Sequence, residues 1–203
     1  EASDGIVWIG TDGGGIYLLQ NDNICEKFTT TEGLAGNVIF KISQDSNGIY
    51  WICTGTGISR IEKKDGLFLK DDAGLKICNY NSQQGLGTDS IFQMLIDYTD
   101  TAWLVRNRGI GAVPLKDLNA VANGKLSKID SKYYNKNDGL LTDGAATTAL
   151  SMIDQNGRLW FTLLDGFAIY DPVKITANKI LPIVHIENIK VDNVPIEYDG
   201  EEI

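Results

Sequence analysis

The chain alternates short apolar runs with small polar clusters and has few long amphipathic stretches. Val38-Ile39-Phe40-Lys41-Ile42 is β-branched and aromatic, and Asp45-Ser46-Asn47-Gly48 follows it. Asn-Gly between two apolar runs is a strong hairpin signal, because both central residues of the tight turn need a positive φ. A tryptophan-bearing strand returns, and Gly55-Thr56-Gly57 turns the chain into Ile58-Ser59-Arg60-Ile61. The pattern predicts a three-strand meander, with a fourth strand from the segment before the next Gly-Leu pair. Ile91-Phe92-Gln93-Met94-Leu95 and Ala149-Leu150-Ser151-Met152-Ile153 repeat the opening strand. No useful length of 3.6-residue periodicity appears, and Lys116 to Ala122 reads as one short helical turn. Alternating strands and helices would need amphipathic stretches of about 10–15 residues, which are absent.

The same frame recurs around all four tryptophans, Trp8, Trp51, Trp103 and Trp160, spaced 43, 52 and 57 residues apart. A glycine follows each six or seven positions later, at Gly15, Gly57, Gly109 and Gly166, and an apolar residue comes next. Gly33-Leu34, Gly85-Leu86 and Gly139-Leu140 precede three of the tryptophans by 18, 18 and 21 residues. A period of about 40–50 residues with four strands each is that of a β-propeller blade. The longer periods place insertions at 61–84 and 114–137.

Repetition also decides how single residues are read. A tryptophan at one blade position four times is core packing between sheets rather than a sugar-stacking platform. The glycines are turn residues. Gly13-Gly14-Gly15 would need a helix start to cradle phosphate, and Ile16-Tyr17-Leu18-Leu19 reads as strand. Asp45, Asp97 and Asp154 recur before the hairpins, which favours bonding to turn N–H groups over paired catalysis. Cys25, Cys53 and Cys78 read as small buried apolar residues, with a Cys25–Cys78 disulfide as the alternative. His185 is the only histidine and reads as a surface strand residue; with no CxxC, no metal site is expected. Arg106 and Arg108 stand where the other copies carry small residues, in the expected loop after the Trp strand. They are the ligand-binding candidates, since guanidinium forks suit an anionic sugar or carboxylate. A surface pair bridged to local acids is the plainer alternative.

Composition adds exclusions. Hydrophobic residues make up 43% of the 203, charged residues 22%, and the net charge is −9. No basic patch supports nucleic-acid binding, and no run of about 18 apolar residues supports a membrane span. The chain lacks an initiator Met and a signal peptide, so it is expected to be a piece of a longer protein.

The order Asp-x-x-Gly-x-Leu/Ile-Trp-Ile/Phe-Gly-Thr-x-x-Gly-Leu/Ile, spaced by Gly-Leu, resembles the two-component regulator propeller repeat over about residues 1–171. That repeat builds the extracytoplasmic sensor half of hybrid two-component systems of Bacteroides-type gut bacteria. Trp103-Leu104-Val105-Arg106 departs from the Ile-Gly-Thr of the pattern, and Cys53 replaces its glycine. Leu181 to Ile196 is similar to the opening hairpin of the triple-tyrosine β-sandwich that follows such propellers. The expected fold is all-β, with about three and a half four-stranded antiparallel sheets in an incomplete ring. A partial blade falls at 1–30, blades at 31–80, 81–134 and 135–173, and a linker with the first sandwich strands at 174–203.

The resemblance implies a periplasmic, non-enzymatic sensor segment without a cofactor. It would bind an oligosaccharide from dietary or host glycans and signal to a histidine kinase outside this chain. Self-association is expected, through open blade edges or as a sensor dimer. A structural or protein-docking propeller is the alternative. A propeller-scaffold lyase or glycosidase would need a convergent acid/base pair outside the repeated positions.

Overall fold

Strong β propensity and close turns produce the sheets. The computed structural model describes residues 5–64, 67–71, 74–142, 144–145, 150–174, 189–192 and 194–196. Contacts divide the chain into two compact units, Glu1–Pro172 and Val173–Ile203.

Among the described residues, the first unit holds four antiparallel meanders. β1 (Val7–Gly10), β2 (Ile16–Gln20) and β3 (Asn23–Phe28) form the first sheet. β4 (Ile39–Gln44), β5 (Tyr50–Thr54) and β6 (Gly57–Ile61) follow, with two short ladders in the first insertion. These are β7 (Lys63–Lys64) with β8 (Leu67–Phe68), and β9 (Lys70–Asp71) with β10 (Gly74–Leu75). β11 (Ile77–Tyr80) completes the second sheet in the order β11-β6-β5-β4.

The third sheet runs β12 (Ile91–Ile96), β13 (Thr101–Arg106), β14 (Ile110–Pro114) and β15 (Lys132–Tyr134). Helix α1 (Leu115–Ala122) lies between its last two strands, where one helical turn was expected. β16 (Met152–Ile153), β17 (Leu159–Leu163) and β18 (Gly166–Tyr170) form the fourth sheet. In the second unit, β19 (Ile189–Val191) pairs with β20 (Val194–Ile196), the end of the expected hairpin. Its earlier part and His185 lie outside the described residues. Among the described residues, no helix is long and apolar enough to cross a membrane.

The sheets pack face to face through three apolar layers. Trp8 stacks on Tyr50 at 4.1 Å between ring centroids, joining the first sheet to Tyr50, Ile52 and Ile61 of the second. Trp51 and Ile58 meet Ile91, Met94 and Leu104 of the third sheet, with Leu115 and Leu118 of α1. Trp103 and Val105 meet Leu159 and Phe161 of the fourth. Both faces of a middle strand are therefore buried, and β5 has no exposed residue. This explains why its sequence runs apolar instead of alternating.

The tryptophans do not share one environment. Trp51 and Trp103 are buried, whereas Trp8 and Trp160 are half-buried. The cysteines also depart from a uniform buried set. Cys53 is buried, Cys78 partly so, and Cys25 is exposed on β3 with its thiol donating to Leu18 O. All three are free thiols. Strand β3 lies at the outer edge of its sheet, where one face meets solvent.

Candidate functional site

An aspartate closes one end of each of the last three sheets. Asp97 Oδ1 accepts from the backbone N–H groups of Thr99 (2.8 Å) and Thr101 (3.0 Å), and its Oδ2 accepts from Trp103 Nε1 at 2.8 Å. Asp45 makes the same set with Asn47, Ile49 and Trp51, and Asp154 with Asn156, Arg158 and Trp160. Burial pushes the Asp97 carboxyl up, but bonds from Thr99, Trp103 and the turn N–H groups hold it below its ordinary value. The hydrogen bond from Trp160 leads those that hold Asp154 at about 2. These carboxylates brace hairpins and ring N–H groups.

The opposite end carries a feature that the sequence reading missed. The Gly-Leu pairs close one-turn loops with reciprocal side-chain caps. Asn81 and Gln84 cap one another's backbone N–H groups around a 3₁₀ turn, as do Asn135 and Asp138. Thr29 and Glu32 give the first copy a related closure. The signal was the Thr/Asn-x-x-Glu/Gln/Asp that precedes each Gly-Leu. At the same end, Gly15, Gly57, Gly109 and Gly166 have φ of 79°, 143°, 72° and 137°. At the first three, a Cβ would also meet the carbonyl of Phe28, Tyr80 or Tyr134.

A cleft of about 770 Å³ opens at this end of the third sheet, and it contains both arginine candidates. Its walls are Gly87-Thr88, Arg106-Asn107-Arg108 and Tyr133 to Asn137. Arg108 is exposed in the loop, as the sequence places it. Arg106 is not a loop residue: it ends β13, and only 4% of its surface is exposed. Its Nη1 donates to Leu86 O at 3.1 Å, and its guanidinium carbon lies 4.0 Å from the Tyr133 ring centre. Its Nε is buried without an acceptor. Burial lowers its pKa from the ordinary arginine value, but an arginine stays charged at any working pH. Three cations, Arg106, Arg108 and Lys136, line the cleft, and among the described residues no carboxylate does.

Other hollows have a different character. One of about 460 Å³ at the hairpin end is lined by Asp45, Asp97 and Asp100, two of them committed to turns. Among the described residues, no group of three or more His, Cys, Asp or Glu is placed to hold a metal.

Comparison with known proteins agrees with this architecture. Residues 33–56 match the "Two component regulator propeller" family model, and this stretch runs from the Gly-Leu turn through the Asp45 hairpin and Trp51. No curated protein matches the sequence. Among solved structures, the chain is similar to the extracellular domain assigned to hybrid two component system BT3049 of B. thetaiotaomicron. The identity is 20% and the TM-score 0.68, over 98% of this chain and 26% of the other. It is also similar to the extracellular domain assigned to one component system BT4673 of B. thetaiotaomicron. There the identity is 18% and the TM-score 0.62, over 84% of this chain and 23% of the other. The chain thus spans about a quarter of each. With blades, inter-sheet tryptophans and Gly-Leu turns in place, this is an all-β chain of propeller blades with a match to the two component regulator propeller repeat at residues 33–56.

Proposed function

We propose that this chain is part of the extracytoplasmic, periplasmic sensor region of a two-component system. It binds a glycan-derived ligand in the cleft at Arg106 and signals to a histidine kinase outside this chain. The observation that carries the reading is the cleft itself: a buried guanidinium, amides and two tyrosines gathered at the ends of β13 and β15 and in the loops beside them. The repeat at residues 33–56 and the likeness to extracellular domains of such systems support the sensor context. Ligand binding would act by favouring one arrangement of paired sensor chains over another.

Calorimetric titration of the chain with a panel of oligosaccharides tests the proposal. Saturable heat without conversion of the sugar is the expected result. Turnover of any panel member would replace this reading with an enzyme, and silence across the panel would favour a docking propeller.

A further inference from the structure

Comparison of the second and third sheets shows that the Arg106 cleft is built and not a by-product of the repeat. Three residues after the tryptophan, the first two copies carry threonine. Thr11 Oγ1 donates to Gly15 O at 2.8 Å and Thr54 Oγ1 to Gly57 O at 2.8 Å, each closing its own turn. In the third copy Arg106 occupies this place, pairing with Ile91 as Thr54 pairs with Ile39.

Two cross-strand positions change with it. Ser59 and Asn79 pair in the second sheet and bond one another at 2.8 Å, and Asn79 also reaches Gly33 O. Their counterparts in the third sheet are Gly111 and Tyr133. A Cβ at Gly111 would stand at ordinary contact distance, 3.7 Å, from the guanidinium carbon of Arg106, so the guanidinium packs over this glycine. Ala35, two residues past the Gly-Leu glycine, becomes Gly87, where a Cβ would run into the Tyr133 hydroxyl. That hydroxyl accepts from Ser131 Oγ at 2.7 Å, which holds the ring beside the guanidinium. A polar network that closes a turn has thus been exchanged for a guanidinium whose buried Nε has no acceptor. A buried charge costs several kcal/mol in ordinary circumstances, and among the described residues no carboxylate lines the cleft to offset it.

We infer that this cleft is a receptor for an oxyanion carried by a sugar, a carboxylate or a sulfate, with Arg106 as its anchor. Arg108 and Lys136 supply further positive charge at the site, and Tyr133 offers an aromatic surface beside the anion. The inference rests on the ligand-binding reading above and names the class of ligand: acidic oligosaccharides.

The test is calorimetry on the chain with three disaccharides of matched size. One carries an unsulfated glucuronic acid, one a sulfated neutral sugar, and one only glucose. Binding of at least one acidic disaccharide, at least tenfold tighter than the glucose one and weakening with salt, is the expected result. The carboxylate and sulfate arms identify which oxyanion is used. Arg106→Lys keeps the charge without the fork, and it is expected to weaken acidic binding at least tenfold. Arg108→Ala with Lys136→Ala changes exposed residues only and is expected to weaken it several-fold in a folded chain. Equal binding of glucose and acidic sugars overturns the inference and leaves the sensor reading standing. Silence from all three, and from the wider panel, overturns both. Unchanged acidic binding by Arg106→Lys and by the double variant together removes these cations from the site.

Discussion

Replacing Asp97 by alanine removes one carboxylate and four hydrogen bonds, from the N–H groups of Thr99 and Thr101, the Thr99 hydroxyl and the Trp103 ring. Trp103 is 3% exposed, so its Nε1 would be left buried without an acceptor. An orphaned buried donor costs about 1–3 kcal/mol. The turn N–H groups sit nearer solvent and regain water, so they add about 1 kcal/mol. The total is about 3 kcal/mol, or a Tm lower by roughly 6–12 °C for a chain of this size. Asp97→Asn keeps one oxygen for the turn and sets an amide N–H₂ group against the ring donor, for about 2 kcal/mol. Urea unfolding followed by fluorescence measures both, with m unchanged. A double-mutant cycle isolates the clamp: with Trp103→Phe no ring donor remains, and Asp97→Ala is expected to cost about 2 kcal/mol less there. Strict additivity of the two substitutions, or a cost for Asp97→Ala under about 0.5 kcal/mol, would refute the clamp.

Asp97 and Asp154 are held low in the folded state, Asp154 at about 2. Their stabilisation is therefore present above the ordinary carboxylate pKa of about 4 and lost as pH falls toward about 2; the urea midpoint is expected to fall across that window, and less so in Asp97→Asn. The fourth sheet turns Phe167 (60% exposed), Ile169 (46%) and Met152 (54%) outward, so self-association is expected through this apolar face more than through strand edges. Light scattering should show mass rising with concentration and Phe167→Lys suppressing it; a wild-type chain that stays monomeric contradicts this. Returning the third copy to the second's residues, with Arg106→Thr, Gly111→Ser and Tyr133→Asn together, is expected to abolish acidic-sugar binding. It should cost less than about 1 kcal/mol of stability, since polar closure replaces a buried charge; a loss above about 3 kcal/mol would make Arg106 a structural element.

The blades were legible because each sheet repeats the same requirements within one continuous stretch. The Asn-Gly turn, the Trp strand and the Gly with positive φ fall within about a dozen residues, and Trp51, Gly48 and Gly57 show them in order. The tryptophans were read as equals because sequence shows position and not neighbours. Trp103 has Phe161 and Tyr170 against its ring, whereas the one ring partner of Trp160 among the described residues is Phe167, in its own sheet. Cys25 looked buried because its spacing to Gly-Leu nearly matched that of Cys78. Cys78 packs against the layer between the second and third sheets, and Cys25 does not.

Arg106 shows where such reading stops and what takes over. Its divergence from the threonine at Thr11 and Thr54 was visible, and it drew attention to the right place. Its burial was not visible, because that depends on Gly111 one strand away and Tyr133 two strands away, brought alongside by register. A divergence alone is cheap, since a surface loop accepts almost any polar residue. A divergence into a buried position is different: it has to fit its neighbours, and here the guanidinium lies over Gly111 while Gly87 leaves room for the Tyr133 hydroxyl. Four positions, at 87, 106, 111 and 133, therefore differ from the second sheet around the guanidinium. The second sheet packs between its neighbours with alanine, threonine, serine and asparagine there, so packing between sheets does not by itself call for the four. What the four create together is a guanidinium with a buried, unpaired Nε beside an aromatic ring, and the proposed recognition of an oxyanion rests on that group.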